Sequence, residues 1–197
     1  MDDKVRASWE KVLNPETLKM NIITASIFSM AFEMLKDSII RKIRAFYVDG
    51  LDPDCDELNE DYKLKVLSLN KSVLYASLQW LKNINAIDDS DIKKFDHIKK
   101  CRNTLAHEML RYASSGVDFK VGDVFDDMVS LLRKIEIWWF ENFDLSIAPE
   151  LYPENIDPKS VVPGPVWNLQ MLVNIALGPE DEAKKYYEQF LKSGSET

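Results

Sequence analysis

The chain has 197 residues, 46% hydrophobic and 29% charged, which is the balance of an ordinary globular protein with length for one core and an appendage. A net charge of −8 excludes a broad electrostatic grip on nucleic acid, because that grip comes mostly from Lys and Arg neutralising phosphates, and it leaves room only for a local basic site. With 6 Gly and 8 Pro, breakers are few, so long helices are expected over a turn-rich β fold and the predicted class is all-α.

A short amphipathic segment over 3–13 carries Val5, Trp9, Val12 and Leu13 at helical spacing. Asn14 followed by Pro15 is a helix start, with Asn as cap and Pro where its missing N–H costs nothing. From Glu16 to about Tyr47 there is no Gly or Pro, and Met20, Ile23, Ile27, Ala31, Met34 and Leu35 repeat at helical intervals, so this is the predicted longest helix and scaffold. Glu33, Arg41 and Arg44 along it read as surface or intrahelical pairing partners. Its uncharged run, Met20 to Phe32, is shorter than the ~20 apolar residues needed to span a bilayer, and the acidic start Met1-Asp2-Asp3 is unlike a secretion signal. A cytoplasmic protein is therefore expected. Cys55 and Cys101 fit no disulfide framework and no zinc spacing, and both read as reduced thiols.

The segment 49–57 is an acidic loop whose Gly and Glu do not stand where a calcium loop places them. A helix is expected over 61–83, wide in its apolar surface and so buried between neighbours. The turn 85–91 supplies caps and acidic first-turn residues for a helix over 89–112. Another core helix is expected over 121–143, with Trp138, Trp139 and Phe140 as core and lid packing in preference to a base-stacking platform. Six of the eight prolines lie between Pro149 and Pro179, so composition changes near Ser146. The domain expectation is a helical bundle of four to five main helices over 1–145. A Pro-rich, partly helical extension over 146–197 packs on it, with short helices at 166–177 and 179–192.

The chemistry concentrates in the helix over 89–112. On a wheel of ~100° per residue, Asp96, Lys100, Asn103, His107 and Arg111 share one stripe of roughly 80°, and Phe95, Ile98, Leu105, Ala106 and Met109 share the other side. Arg102 falls in the middle of that apolar side. A guanidinium cannot shed its charge, so Arg102 must meet a carboxylate, a subunit interface or a ligand phosphate. His97 lies off the stripe and reads as structural, and Cys101 reads as a buried core thiol. There is no P-loop, no dinucleotide fingerprint, no zinc-protease helix and no nucleophile with a recognisable His partner. What remains is Arg102 with His107: an imidazole can move a proton on and off a ribose hydroxyl, and a guanidinium can hold a phosphodiester as charge builds. No metal or cofactor is required by that pairing.

Arg102-Asn103-Thr104-Leu105-Ala106-His107, near the end of the third long helix of an all-α chain, resembles the HEPN superfamily motif of an Arg, four to six residues and a His, commonly with a polar residue after the Arg. The similarity covers about residues 15–143. It implies a helical bundle that pairs into a homodimer, bringing two Arg/His sets to one cleft, and a metal-independent endoribonuclease of toxin–antitoxin, abortive-infection or other defence type, checked by an antitoxin or similar partner. Carried onto this chain, Arg102 orients the scissile phosphate, His107 is general acid or base, and Asn103 positions either group or the RNA. The wheel alone adds Lys100 and Arg111 as RNA contacts. The alternative is a non-catalytic helical module that binds a protein or nucleotide partner in a regulatory role. A dimer interface for Arg102 would favour the nuclease, and an ordinary intramolecular ion pair the module.

Overall fold

In the computed structural model the described residues are 12–48, 59–108, 111–112, 119–153 and 155–193, with Arg6, Trp9 and Glu10. The protein is all-α, and no strand forms among the described residues. The expected acidic loop at 49–57, with Cys55, lies outside them, as do Met109 and most of the segment 3–11.

Helix α1, Pro15–Phe46, is the longest element. Asn14 caps it as its sequence predicts, the side-chain oxygen accepting from the N–H groups of Glu16 and Thr17 at 3.0 and 3.1 Å. Ile27, Phe28, Ala31, Phe32, Leu35, Ile39 and Ile43 form a buried stripe along it. By length and composition α1 could cross a membrane, which the uncharged run alone did not suggest; a core helix has the same composition, and here α3, α4, α5 and α6 pack on it.

The expected single helix over 61–83 is two. Helix α2 is Glu60–Lys65, a 3-10 turn follows at Leu67–Leu69, and α3 is Val73–Asn83. The break falls at Asn70, extended at φ −159° and ψ 152°, whose side chain accepts from the Ser72 N–H at 2.9 Å. Asn and Ser offer the backbone a turn in place of the helical ladder, and that local competition outweighs the apolar periodicity. The apolar surface is split accordingly: Tyr62, Val66, Leu78 and Leu81 are buried, and Leu64 points outward. Asn85, in the turn after α3, sits at φ 60°, a left-handed position Asn tolerates better than most residues.

Helix α4, Asp89–His107, starts with a reciprocal cap in which Asp88 accepts from the Ser90 and Asp91 N–H groups and its own N–H donates to Asp91 at 2.9 Å. Lys134 reaches from α5 to both carboxylates, 3.0 Å from Asp88. The Ser90 hydroxyl first, then Lys134, hold the Asp88 carboxyl well below the usual carboxylate range. The expected continuation to Tyr112 is interrupted: α4 ends on Glu108, and Arg111 and Tyr112 are helical again beyond it.

Helix α5, Val121–Trp139, runs into a π-helical turn at Phe140–Asp144. Trp139 stacks on Trp80 at 6.1 Å and 18°, and Phe46 and Phe143 close around them, so these aromatics are packing. After the Pro-rich connection come α6, Gly164–Leu177, and α7, Glu180–Ser193. Val166 and Leu169 of α6 are buried in the same core as α1 and α5, and Arg133 donates to the Lys159 carbonyl at 2.5 Å. Gly178 ends α6, where an added Cβ would stand 2.3 Å from the Asn174 carbonyl oxygen.

Phe95 joins three helices: it is fully buried on α4, stacks on Phe32 of α1 at 6.0 Å and meets Tyr75 of α3 edge-on at 6.3 Å. Phe95→Ala is expected to lower unfolding free energy by about 3–5 kcal/mol, measured as a drop in the urea midpoint with unchanged slope.

Candidate functional site

The polar stripe of α4 becomes one wall of an open cleft of about 430 Å³, lined by Tyr75, Asp96, Lys99, Lys100, Asn103, Thr104, His107 and Glu108. Four of the five stripe residues, Asp96, Lys100, Asn103 and His107, are therefore brought together by the same helical geometry that predicted them. The opposite side carries the buried Phe95, Ile98, Cys101 and Leu105; Ala106, expected with them, is exposed near the helix end. Burial pushes the Cys101 thiol up, and its sulfur stands 3.7 Å from the His97 Nε2, so Cys101 is a core thiol and His97 its neighbour at the surface.

The acids in the cleft are already engaged. Asp96 accepts from the Tyr75 hydroxyl at 2.6 Å, and Glu108 pairs with Arg111 at 2.8 Å. Lys99 lies over the Tyr75 ring, 4.6 Å from its centroid, and 3.4 Å from its hydroxyl. By contrast, the Lys100 ammonium and the His107 ring are exposed with no ion-pair or hydrogen-bond partner among the described residues. The cleft thus offers an outside molecule an ammonium, an imidazole and an amide. The chemistry such a set supports is holding an anion and moving a proton beside it.

Arg102 is elsewhere. Its guanidinium turns toward α1, where one nitrogen donates to Glu33 at 3.2 Å and the group lies 5.4 Å from the centre of the Phe32 ring. Of the three partners its position demanded, it has the carboxylate. Glu33 is shared, its other oxygen pairing with Lys36. Arg102 still touches the cleft through Asn103, whose side-chain oxygen is 3.4 Å from the second terminal nitrogen, a long contact. The Arg102 Nε is buried without a hydrogen-bond partner among the described residues, although the side chain as a whole is 33% exposed. Arg111 stands past the end of α4 against Glu108 and is not among the residues lining the cleft, because the helix breaks before the wheel carries it there.

Tyr75, Lys99, Thr104 and Glu108 are cleft residues that the stripe did not include. Tyr75 carried a signal: in the otherwise apolar stretch Val73–Leu74–Tyr75–Ala76 its hydroxyl requires a polar edge.

The Tyr75 phenol is pushed up to about 12, chiefly by its hydrogen bond to Asp96, then by partial burial and the Asp96 charge. The folded protein holds this proton more tightly than the unfolded chain. Its stabilising contribution is therefore complete below the ordinary phenol value of about 10 and is lost as pH rises through about 12. In an ultraviolet titration of the tyrosines, Asp96→Asn is expected to return one phenol toward about 10, and Tyr75→Phe to remove that late step altogether.

No family model, curated protein or solved structure matches this chain.

Proposed function

We propose that the chain is a metal-independent endoribonuclease of a toxin–antitoxin or defence system, resembling HEPN-type ribonucleases and acting in the cytoplasm as a homodimer under the control of a partner protein. The observation that carries this reading is the cleft in which His107, Asn103 and Lys100 converge with His107 and Lys100 unengaged. His107 takes the proton from a ribose 2′-hydroxyl or gives one to the leaving 5′-oxygen. Lys100 neutralises the adjoining phosphate as a point charge. Asn103 lies between His107 and Arg102 and positions the substrate or the guanidinium. Arg102 supports the transition state by leaving Glu33 for the phosphodiester, an exchange in which one exposed ion pair, worth little in water, gives way to a stronger charge-assisted contact. The products are a 2′,3′-cyclic phosphate and a 5′-hydroxyl.

A second reading is favoured by the Arg102–Glu33 ion pair itself, which gives Arg102 a reason for its position within one chain. Under it the chain is a non-catalytic helical module that binds a protein or nucleotide partner in a regulatory role, and Arg102 ties α4 to α1.

The two readings separate on purified protein and single-stranded RNA. The nuclease reading expects cleavage that persists in EDTA and falls about 10²–10⁴-fold in His107→Ala, with unchanged helicity and melting. Arg102→Ala is expected to abolish cleavage, and Glu33→Gln to leave it intact or raise it by releasing Arg102. Wild-type protein that leaves RNA untouched, together with an Arg102→Ala variant that loses stability or partner binding, establishes the regulatory module.

A further inference from the structure

The cleft contains a group that contact with a phosphodiester does not explain. Asp96 is an exposed carboxylate in the same wall as Lys100 and His107. Its Oδ1 accepts from the Tyr75 hydroxyl at 2.6 Å, whereas its Oδ2 has no partner and no cation within ion-pair distance among the described residues. Glu108, the other acid of the cleft, is neutralised by Arg111 at 2.8 Å. A carboxylate that no cation answers repels phosphate, so Asp96 works against backbone binding at its end of the wall. What it accepts from a nucleic-acid strand is a neutral donor, and in RNA those donors are base N–H groups and ribose hydroxyls.

The surroundings of Asp96 choose between them. Tyr75 stands on α3, edge-on to the buried Phe95 at 6.3 Å, so the carboxylate is positioned by a packed ring. Lys99 uses the same phenol, its ammonium 4.6 Å from the ring centre and 3.4 Å from the hydroxyl oxygen, with further donors to give. An acceptor and a donor are thus presented side by side on one ring. Guanine carries the matching edge: adjacent N1 and N2 donors for a carboxylate, and beside them the O6 acceptor for an ammonium. Oδ1 keeps a lone pair for this while it holds Tyr75. Adenine and cytosine offer a single amino group on that edge and uracil a single imino group between carbonyls, while a ribose hydroxyl leaves Lys99 without a role.

Position decides which nucleotide is read. Asp96 lies about three turns, or about 16 Å, from His107 along α4, with the unengaged Lys100 between them. The base at Asp96 therefore belongs to a nucleotide farther along the strand than the attacking ribose, with Lys100 on a phosphate between the two. The edge it presents is the one that pairs in a duplex, so the strand must be single.

We propose, resting on the reading of the cleft as an RNA-cleaving site, that Asp96 and Lys99 form a guanine subsite, which makes the substrate single-stranded RNA with a guanine at a fixed distance from the cut.

The test uses the full chain in EDTA. Single-stranded RNA of randomised sequence is offered and the cut ends are sequenced; in parallel, hexanucleotides methylated on every ribose 2′-oxygen, which cannot be cleaved by 2′-hydroxyl attack, are titrated by fluorescence anisotropy. Guanine is expected at one fixed position, preferred by about tenfold or more over each other base in both readouts. Inosine there, which lacks the N2 donor, is expected to bind about tenfold more weakly than guanine, and a complementary strand to abolish binding. Asp96→Asn is expected to bring the guanine-to-adenine ratio within about threefold, and Lys99→Met to lower it as well, so the result does not hang on one variant folding. A merely structural loss lowers both sequences alike and leaves the ratio unchanged. Guanine-selective binding without cleavage supports the subsite and removes the nuclease reading. Cleavage without base preference, or a preference that survives in folded Asp96→Asn, overturns the subsite and leaves the nuclease reading standing. RNA that is neither bound nor cut overturns both.

Discussion

The apolar stripe of α1, from Ile27 to Ile43, is the constraint on which the rest depends. It is too long to be buried by one partner, and α3, α4, α5 and α6 each cover part of it. Packing helices against a common scaffold fixes which side of each is hidden, and so which side is left for chemistry. For α4 the hidden side is Phe95, Ile98, Cys101 and Leu105, and the side left over is the cleft stripe. For α5 it is Val124, Met128, Leu131, Leu132 and Ile135, with Glu136 carried inward alongside them.

Charges that this packing draws toward the interior are each met. Glu136 has Ser38 and Lys42, Asp91 has Lys134 and the Asp88 N–H, and Arg102 has Glu33 and the Phe32 face. The solutions differ in quality. Glu136 uses both oxygens and is nearly inaccessible, whereas Arg102 keeps a third of its side chain in solvent, leaves Nε without a partner among the described residues and depends on a carboxylate that also serves Lys36.

The cleft and a second cavity, a pocket lined by Met34, Ser38, Lys42, Glu136 and Asn168 among others, sit on opposite terms with the sequence. Asp96, Lys100, Asn103 and His107 are spaced by three and four along a single helix, and their convergence needs nothing beyond helical geometry. The pocket is built from residues nearly a hundred positions apart, Ser38 and Lys42 against Glu136, with Pro165 and Asn168 closing it. No local pattern links them. His107 marks the cleft because histidine is scarce, with only two in the chain; an acid and a lysine among 33 acidic and 25 basic residues stand out in no such way.

By itself the sequence determined the all-α class, the α1 cap at Asn14, the sides of α4, and the aromatic core at Trp138–Phe140, because each of these is set by periodicity and by backbone groups a few residues apart. It missed the end of α4 at Glu108, and it missed the break at Asn70, where side-chain competition with the backbone ladder defeats an apolar pattern that runs on unbroken. Only the tertiary structure decided what Arg102 meets, since its position on the wheel required a partner without naming one, and Glu33 is 69 residues away. Only the tertiary structure decided that Glu136 is buried and that Lys42 is held beside a cavity, because burial of a charge depends on which helices cross above it and not on its neighbours in the chain.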